Sequence, residues 1–377
     1  MKNRIKVLLV SPYSSKKTGG IGTWSKIVLD YCKTDNSINL CFLNTVSNLP
    51  KRKALSNSFT HLIIGGIDSL KILFLLFWRL LFSQPDVVHY TSSAASALYK
   101  DILAIQLVKS IFHKKFVIHW HFGRIPLIFE EKGKEYSLFT KVCKKADLSI
   151  TIDKRSYNTL IREGITAVEI PNPIPSALQV EAQSLNNELL HMERKRGEVL
   201  FVGHVLKSKG IYELVQACTN CESVLHLIIV GPVFENSVKD DLRKIASKRD
   251  NGRWLDLVGE KNREEVWNYY KNCSVFCLPS YSEGFPYVLL EAMAFGCPII
   301  ATKVGAIPDI LSESCGVQIE AQQIEPLMES LDDLLINKDK AYTMGRLAHE
   351  RVLANYSIEK VFIMYKNAWT NIMAYEH

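Results

Sequence analysis

The chain has 377 residues, 47% of them hydrophobic and 23% charged, a length that suits two domains of ordinary size, each with its own core. Nine cysteines with no export signal point to reduced thiols in a cytoplasmic protein and set aside a secreted disulfide scaffold. The net charge of +7 is uneven: residues 1–175 hold 25 Lys and Arg against 12 Asp and Glu, while 176–377 hold 21 against 27, so the two halves face different partners.

In chain order, the apolar run 7–10 is too short for a secretory leader and reads as a first strand. Residues 11–22 follow as a polar loop with paired glycines, Gly19 and Gly20, entering a helix near Thr23. Paired glycines let backbone approach a ligand and adopt φ > 0. Neither Gly-x-Gly-x-x-Gly nor an acidic residue closing a second strand is present, so this is no dinucleotide fingerprint. Further strands are expected at 39–43, 61–64, 86–90, 115–120 and 148–152, with a helix at 97–111. That alternation argues for a parallel sheet between helices. Residues 70–82 are apolar almost all round yet too short to cross a bilayer. They form either a buried helix or an interfacial one with Lys71 and Arg79 snorkelling. His119-Trp120-His121-Phe122-Gly123 closes the fifth strand.

Three prolines within 171–175 cannot continue a helix or a central strand and mark a domain break. Strands are then expected at 198–202, 225–230, 255–257, 275–278 and 298–301, and helices at 211–217, 264–272 and 289–295. The pairs Cys218/Cys221 and Cys273/Cys277 lie in apolar-periodic segments without knuckle glycines, so they read as buried thiols and not as a metal site. Val202-Gly203-His204 leads through Lys209-Gly210 into a helix, a sensible arrangement for phosphate. The densest signal is Ser280-Tyr281-Ser282-Glu283-Gly284-Phe285-Pro286, continuing through Glu291-Ala292-Met293-Ala294 to Gly296-Cys297-Pro298. It turns on Gly284 and becomes a helix carrying a second carboxylate. Free amides at a helix N-terminus favour an anion such as phosphate. Two carboxylates beside a phosphate would repel it unless hydroxyls engage them. A sugar nucleotide offers both.

This segment, with the glycine loop and Lys209, resembles the Glu-x7-Glu retaining glycosyltransferases of family 4, and the resemblance runs over nearly the whole chain. It implies an α/β GT-B fold, two Rossmann-like domains facing a cleft: an acceptor domain at 1–175, on which the segment 357–377 packs back, and a nucleotide-sugar donor domain at 176–356. It implies a cytoplasmic enzyme, peripheral on the inner membrane face, that moves a hexosyl or N-acetylhexosaminyl group in surface-polysaccharide synthesis. The UDP- or GDP-sugar is a substrate; no cofactor and no metal are expected. His121 stands near the donor sugar, with His119 as a core histidine, and Lys209 neutralises the leaving diphosphate. Glu283 holds a sugar hydroxyl and Glu291 the ribose. Gly19, Gly20, Gly203, His204 (where the family usually has Arg), Gly284, Phe285 and Pro286 place backbone or donors on the diphosphate and sugar. The acceptor is a saccharide, lipid-linked and met at an anionic membrane surface through the basic first half. Nucleic acid is set aside, because no basic helix with interleaved aromatics and no RNA-binding sheet signature is present. The alternatives are a sugar-nucleotide epimerase on this fold and a non-catalytic binding subunit.

Overall fold

The computed structural model describes residues 4–14, 19–35, 37–46, 58–185, 194–311 and 314–374, and of 58–64 the backbone alone. The chain divides into two compact units, Met1–Pro173 with Ile358–His377, and Ile174–Ser357.

In the first unit the order is β1 (Lys6–Ser11), α1 (Gly20–Cys32), β2 (Asn39–Asn44), α2 (Ser58–Ser83), β3 (Val87–Ser92), α3 (Ala97–Gln106, continued by a π turn at Leu107–Ile111), β4 (Lys115–Trp120), α4 (Ile125–Glu131), α5 (Lys134–Lys145), β5 (Leu148–Thr151), α6 (Lys154–Arg162) and β6 (Ala167–Glu169). The strands form one sheet, β2-β1-β3-β4-β5-β6, parallel throughout. All six residues of β3 are buried, as the centre of a sheet covered on both faces requires. The chain builds outward from β1 in one direction through β2 and in the other from β3, so the topology reverses between β1 and β3. Loops leaving the strand ends at such a reversal are where open α/β sheets bind ligands.

One expectation is corrected. Residues 61–64 are not a strand; they lie inside α2. Four apolar residues carry no period that separates strand from helix, and the long apolar run that follows continues the helical turn. The His119–Gly123 segment therefore closes β4, the fourth strand. The 70–82 stretch is neither buried all round nor free. Leu76 and Leu80 are fully buried, whereas Leu70, Phe74 and Phe82 are exposed by 67%, 62% and 76%.

In the second unit come α7 (Ser176–Gln183), β7 (Lys195–Val202), a 3-10 turn (Lys207–Lys209), α8 (Ile211–Asn220), β8 (His226–Val230), α9 (Asn236–Ala246), β9 (Leu255–Gly259), α10 (Arg263–Asn272), β10 (Cys273–Leu278), α11 (Tyr287–Ala294), β11 (Ile299–Thr302), α12 (Ile307–Ile310), β12 (Val317–Ile319), α13 (Ile324–Ile336) and α14 (Lys338–Tyr356). α10 starts on a capping box in which Asn262 and Glu265 bond each other's backbone. The sheet order is β12-β11-β10-β7-β8-β9, and its reversal falls between β7 and β10, which are hydrogen-bonded neighbours. All four cysteines of the two spaced pairs are buried free thiols. The last helix, α15 (Ile358–Ala374), belongs to the first unit, where it buries Val361, Phe362, Tyr365, Trp369 and Ile372.

Two glycines let the loops at the second reversal close on one another. Gly210 has φ +67°, and a Cβ there would stand 2.0 Å from the Pro279 carbonyl oxygen; Gly305 has φ +55°, and its Cβ would stand 2.0 Å from the Glu283 carbonyl oxygen. Replacement of Gly305 by Ala therefore meets both left-handed strain and a backbone clash, and should cost about 2 kcal/mol or more. Gly66 sits in α2, where an added Cβ meets nothing within 4 Å, so Gly66→Ala should stabilise by about 0.5–1 kcal/mol. Urea denaturation of the two variants should show shifts of opposite sign. Equal midpoints would refute the close-approach argument.

Candidate active site

At the reversal of the second sheet, the loop after β7 lies beside the loop after β10. The first begins at Gly203, whose N–H donates to the Val230 carbonyl at 2.9 Å. It continues through exposed His204, packed edge-on against Phe234 at 5.3 Å, to Lys209. The second contributes Ser280 and Glu283. Lys209 Nζ donates to Glu283 Oε1 at 2.7 Å, and Ser280 Oγ donates to the same oxygen at 2.6 Å. The side chains of Lys209 and Glu283 are 25% and 12% exposed. An ion pair this enclosed depends on both partners, because removing one strands the other charge.

The surrounding bonds hold the second loop rigid. Tyr281 N–H donates to the Ser208 carbonyl at 2.9 Å, and Ala306 N–H to the Gly284 carbonyl at 2.9 Å. The Thr302 hydroxyl donates to the Ser280 carbonyl at 2.5 Å. Phe285 is buried against Tyr356, with ring centroids 5.8 Å apart. Pro286 stands at the N-cap of α11. It has no N–H to offer, so the expectation of an amide from Pro286 is corrected: the amides of this turn are those of Gly284, Phe285 and the first turn of α11. Eight residues after Glu283, Glu291 sits on α11, and the Tyr270 hydroxyl donates toward Glu291 Oε2 at 3.3 Å and the Val288 carbonyl at 3.2 Å.

The first unit presents a different chemistry at its strand ends. Gly19 is extended, with φ −73°, and caps α1, which Gly20 opens. Neither uses positive φ, and a Cβ on either would meet nothing within 4 Å. The conformational reason expected for this pair is corrected: neither backbone is in the left-handed region that favours glycine. Residues 15–18 of the same loop lie outside the described residues. Near the end of β4, His119 is fully buried and His121 half-buried, their rings 3.9 Å apart and tilted by 36°. His119 Nδ1 lies 3.1 Å from His89 Nε2, and Trp24 packs against all three imidazoles. Desolvation holds all three well below the ordinary histidine value, His89 and His121 down to about 3, and neighbouring imidazoles add to it at His119 and His121. Among the described residues, no group of three or more His, Cys, Asp or Glu side chains is placed to hold a metal ion.

With this geometry established, comparison with known proteins is informative. Residues 188–351 match the family model described as glycosyl transferases group 1. An uncharacterized glycosyltransferase, MJ1178, of Methanocaldococcus jannaschii is 31% identical over 273 residues, covering 70% of this chain and 70% of that protein. The chain belongs to the group 1 glycosyltransferases. The capsular polysaccharide biosynthesis glycosyltransferase CapM of Staphylococcus aureus is 27% identical over 199 residues, half of each protein. Among solved structures, Anabaena HepE in complex with UDP superposes with a TM-score of 0.72 at 15% identity, covering 97% of this chain and 100% of that one. That likeness shows the fold, which is GT-B.

In this glycosyltransferase the structure brings Lys209 and Glu283 into contact, sets Gly203, His204, Gly284, Phe285 and Pro286 on the two flanking loops, and puts Glu291 on the helix that follows. Gly19 and His121 lie on strand-end loops of the first unit, and Gly20 opens α1. Sequence reasoning passed over Ser280, Tyr270 and the indole and imidazole partners Trp24, His89 and Trp369. Ser280 stands in the quoted segment three residues before Glu283, where its hydroxyl could have been read as a partner of that carboxylate; the others belong to no local motif and are brought to their places by strands or helices remote in sequence.

Burial pushes the Glu291 carboxyl up to about 7, against the opposing influence of Arg263 and the Tyr270 hydroxyl. Its unfolded value is near 4.3. Between these values the native state holds a proton that the unfolded state has lost, so the contribution of this group to stability is complete below about 4.3 and falls as pH rises toward 7. Compared with Glu291→Gln, the parent should therefore lose stability over this window by up to about 1.4 kcal/mol per pH unit. Parallel stability–pH curves for the two proteins would show that Glu291 titrates normally.

Proposed function

We propose that this glycosyltransferase takes a sugar from a nucleotide-sugar donor and passes it, with retained anomeric configuration, to a saccharide acceptor carried on a lipid, in surface-polysaccharide or related glycan synthesis. The contact between Lys209 and Glu283, at the strand ends where the second sheet reverses, carries this reading. A cation and a carboxylate already paired in a mostly enclosed site suit a ligand with one group for each. The diphosphate takes the ammonium, and a sugar hydroxyl takes the carboxylate. The amides at the start of α11 add positive potential for the phosphates, and Glu291 stands one helix turn further on for ribose hydroxyls. Two relatives favour the same reading: a fold neighbour whose structure contains UDP, and a relative named for capsular polysaccharide synthesis.

In this mechanism the bond from the anomeric carbon to the phosphate oxygen breaks through an oxocarbenium-like state. The acceptor oxygen bonds to the same carbon on the same face, and its proton passes to the departing phosphate oxygen. Stabilising the negative charge that gathers on the diphosphate is the main catalytic task. Lys209 supplies a full charge there, His204 one hydrogen bond where an Arg would give a bidentate contact. Glu283 supports the positive charge on the sugar through its hydroxyl contact, and His121 stands for the sugar on the acceptor side. No protein-held metal is needed for these steps.

Two substitutions and a chelator test the donor site together. In excess chelator, the parent should transfer sugar from one member of a panel of UDP- and GDP-sugars. Lys209→Ala and Glu283→Gln should each be at least about 100-fold slower, the usual scale of one lost transition-state contact. Parental rates in either variant, or activity that needs added Mg²⁺ or Mn²⁺, would overturn this assignment.

One observation favours a lipid-borne acceptor. α2 exposes Leu70, Phe74, Trp78 and Phe82, with Trp78 stacked on Phe82 at 5.6 Å, and it carries exposed Lys71 and Arg79. No described helix is long and apolar enough to cross a membrane. Apolar aromatics beside cations on one helix suit the plane of an anionic bilayer surface. Vesicles containing anionic lipid should carry the protein upward in flotation, less so with added salt and less again for Phe74→Ser with Trp78→Ser. Indifference to such vesicles at low salt would leave a soluble acceptor as the better assignment.

A further inference from the structure

The three imidazoles of the first unit are joined in a way that fixes where their protons are. Trp369 Nε1 donates to His89 Nδ1 at 3.0 Å. An indole nitrogen can only donate, so His89 Nδ1 carries a lone pair and its proton is on Nε2. That Nε2 lies 3.1 Å from His119 Nδ1, so its N–H must donate there, and His119 in turn carries its proton on Nε2. His119 Nε2 is buried without a hydrogen-bond partner among the described residues, and so is Nε2 of His121. Buried polar atoms are nearly always paired. Two unpaired ones on rings packed 3.9 Å apart mark a place kept for a polar group of a ligand or its water.

We propose that Trp369 and His89 are positioning residues: they lock His119 as the neutral Nε2–H tautomer, and so hold the imidazole packed upon it, His121, neutral and oriented for a substrate hydroxyl. This rests on the assignment of His121 to the glycosyl-transfer site. The lock is directional. A proton on His89 Nδ1 would break the bond from Trp369, and one on His119 Nδ1 would break the bond from His89. A proton on His121 would place a cation 3.9 Å from a ring that cannot turn to accept from it. Among the described residues, the titratable groups in ring contact with these imidazoles are one another and Tyr365, whose hydroxyl accepts from Trp24 Nε1 at 2.9 Å. Burial, joined at His119 and His121 by the neighbouring imidazoles, disfavours the cations in the same direction.

The test joins a spectroscopic readout with a kinetic one, on the full chain. Long-range ¹H–¹⁵N correlation of histidine-labelled protein, assigned with single-site variants, should find His89 and His119 as Nε2–H tautomers from pH 7.5 to 5.5. An Nδ1–H form, or protonation of either ring in that range, overturns the lock. In the transfer assay the parent rate should change little over the range. Trp369→Phe keeps an aromatic ring against Tyr365 but has no N–H. Relative to its own rate at pH 7.5 it should fall several-fold at pH 5.5, as His89 Nδ1, no longer occupied by the indole N–H, becomes open to a proton. His89→Gln offers an acceptor and a donor and cannot be protonated, so it should keep the parental pH profile, which a merely structural role would not require. Should Trp369→Phe fail to fold, the His89→Gln profile decides alone, and an acidic limb there overturns the proposal. A parental profile in folded Trp369→Phe overturns it as well while leaving the donor-site assignment intact. Absence of transfer by the parent from every donor in the panel overturns the functional reading and the positioning role together, with the tautomers still decided by the spectra.

Discussion

The close approach of three loop backbones at the strand ends of the second sheet is the constraint on which the candidate site depends. Carbonyl oxygens of Pro279 and Glu283 stand where side chains would otherwise begin at Gly210 and Gly305. This packing brings the turn after β7 within reach of the turn after β10. The consequence is electrostatic: an ammonium from one loop and a carboxylate from the other meet at 2.7 Å in a place largely closed to water. Ser280 adds a neutral donor to the same carboxylate oxygen, so Glu283 is held by two partners before any ligand arrives. The site is therefore rigid because of its backbone and polar because of two side chains that the backbone fixes.

The strand ends of the first unit are built on the opposite principle. There the polar groups are imidazoles, indoles and hydroxyls, all neutral. Burial rather than pairing sets their state, since desolvation penalises a charged imidazole with no carboxylate to offset it. The two chemistries match the two halves of the proposed reaction. Charge develops on the diphosphate, where Lys209 can meet it. The acceptor and sugar hydroxyls are uncharged and need oriented hydrogen-bond partners more than they need charge. Among the described residues of the first half, Lys132, Lys134, Lys141, Lys144 and Lys145 are all exposed and stand apart from this neutral cluster.

Much of this was legible in the sequence where the signal was local. The apolar runs fall on observed strands because parallel strands buried on both faces need continuous apolar residues. Glu283, Gly284 and Glu291 are close in sequence and act through one loop and one helix, so their grouping could be read directly. Residues 61–64 could not be read correctly, since four apolar residues fit a strand and a helix turn equally well. β6 and β12, three residues each, are too short to carry alternation. The histidine cluster was only half visible. His119 and His121 flank Trp120 in one short segment, but His89 comes from β3, Trp24 from α1 and Trp369 from a helix 280 residues beyond His89.

That last distance gives α15 a meaning beyond packing. A terminal helix that only covered a sheet would need apolar residues at helical spacing, and Val361, Phe362 and Ile372 meet that need. Tyr365 and Trp369 are also buried, yet each carries a polar atom whose burial costs free energy unless it is bonded. Both are bonded inward, Tyr365 accepting from Trp24 and Trp369 donating to His89. Phe at both positions would cover the same sheet without that requirement, but would leave the indole N–H of Trp24 and Nδ1 of His89 without these partners. The helix thus closes the polar network of the first unit as well as its core. The order of the imidazoles at the strand ends depends on the last helix of the chain being in place.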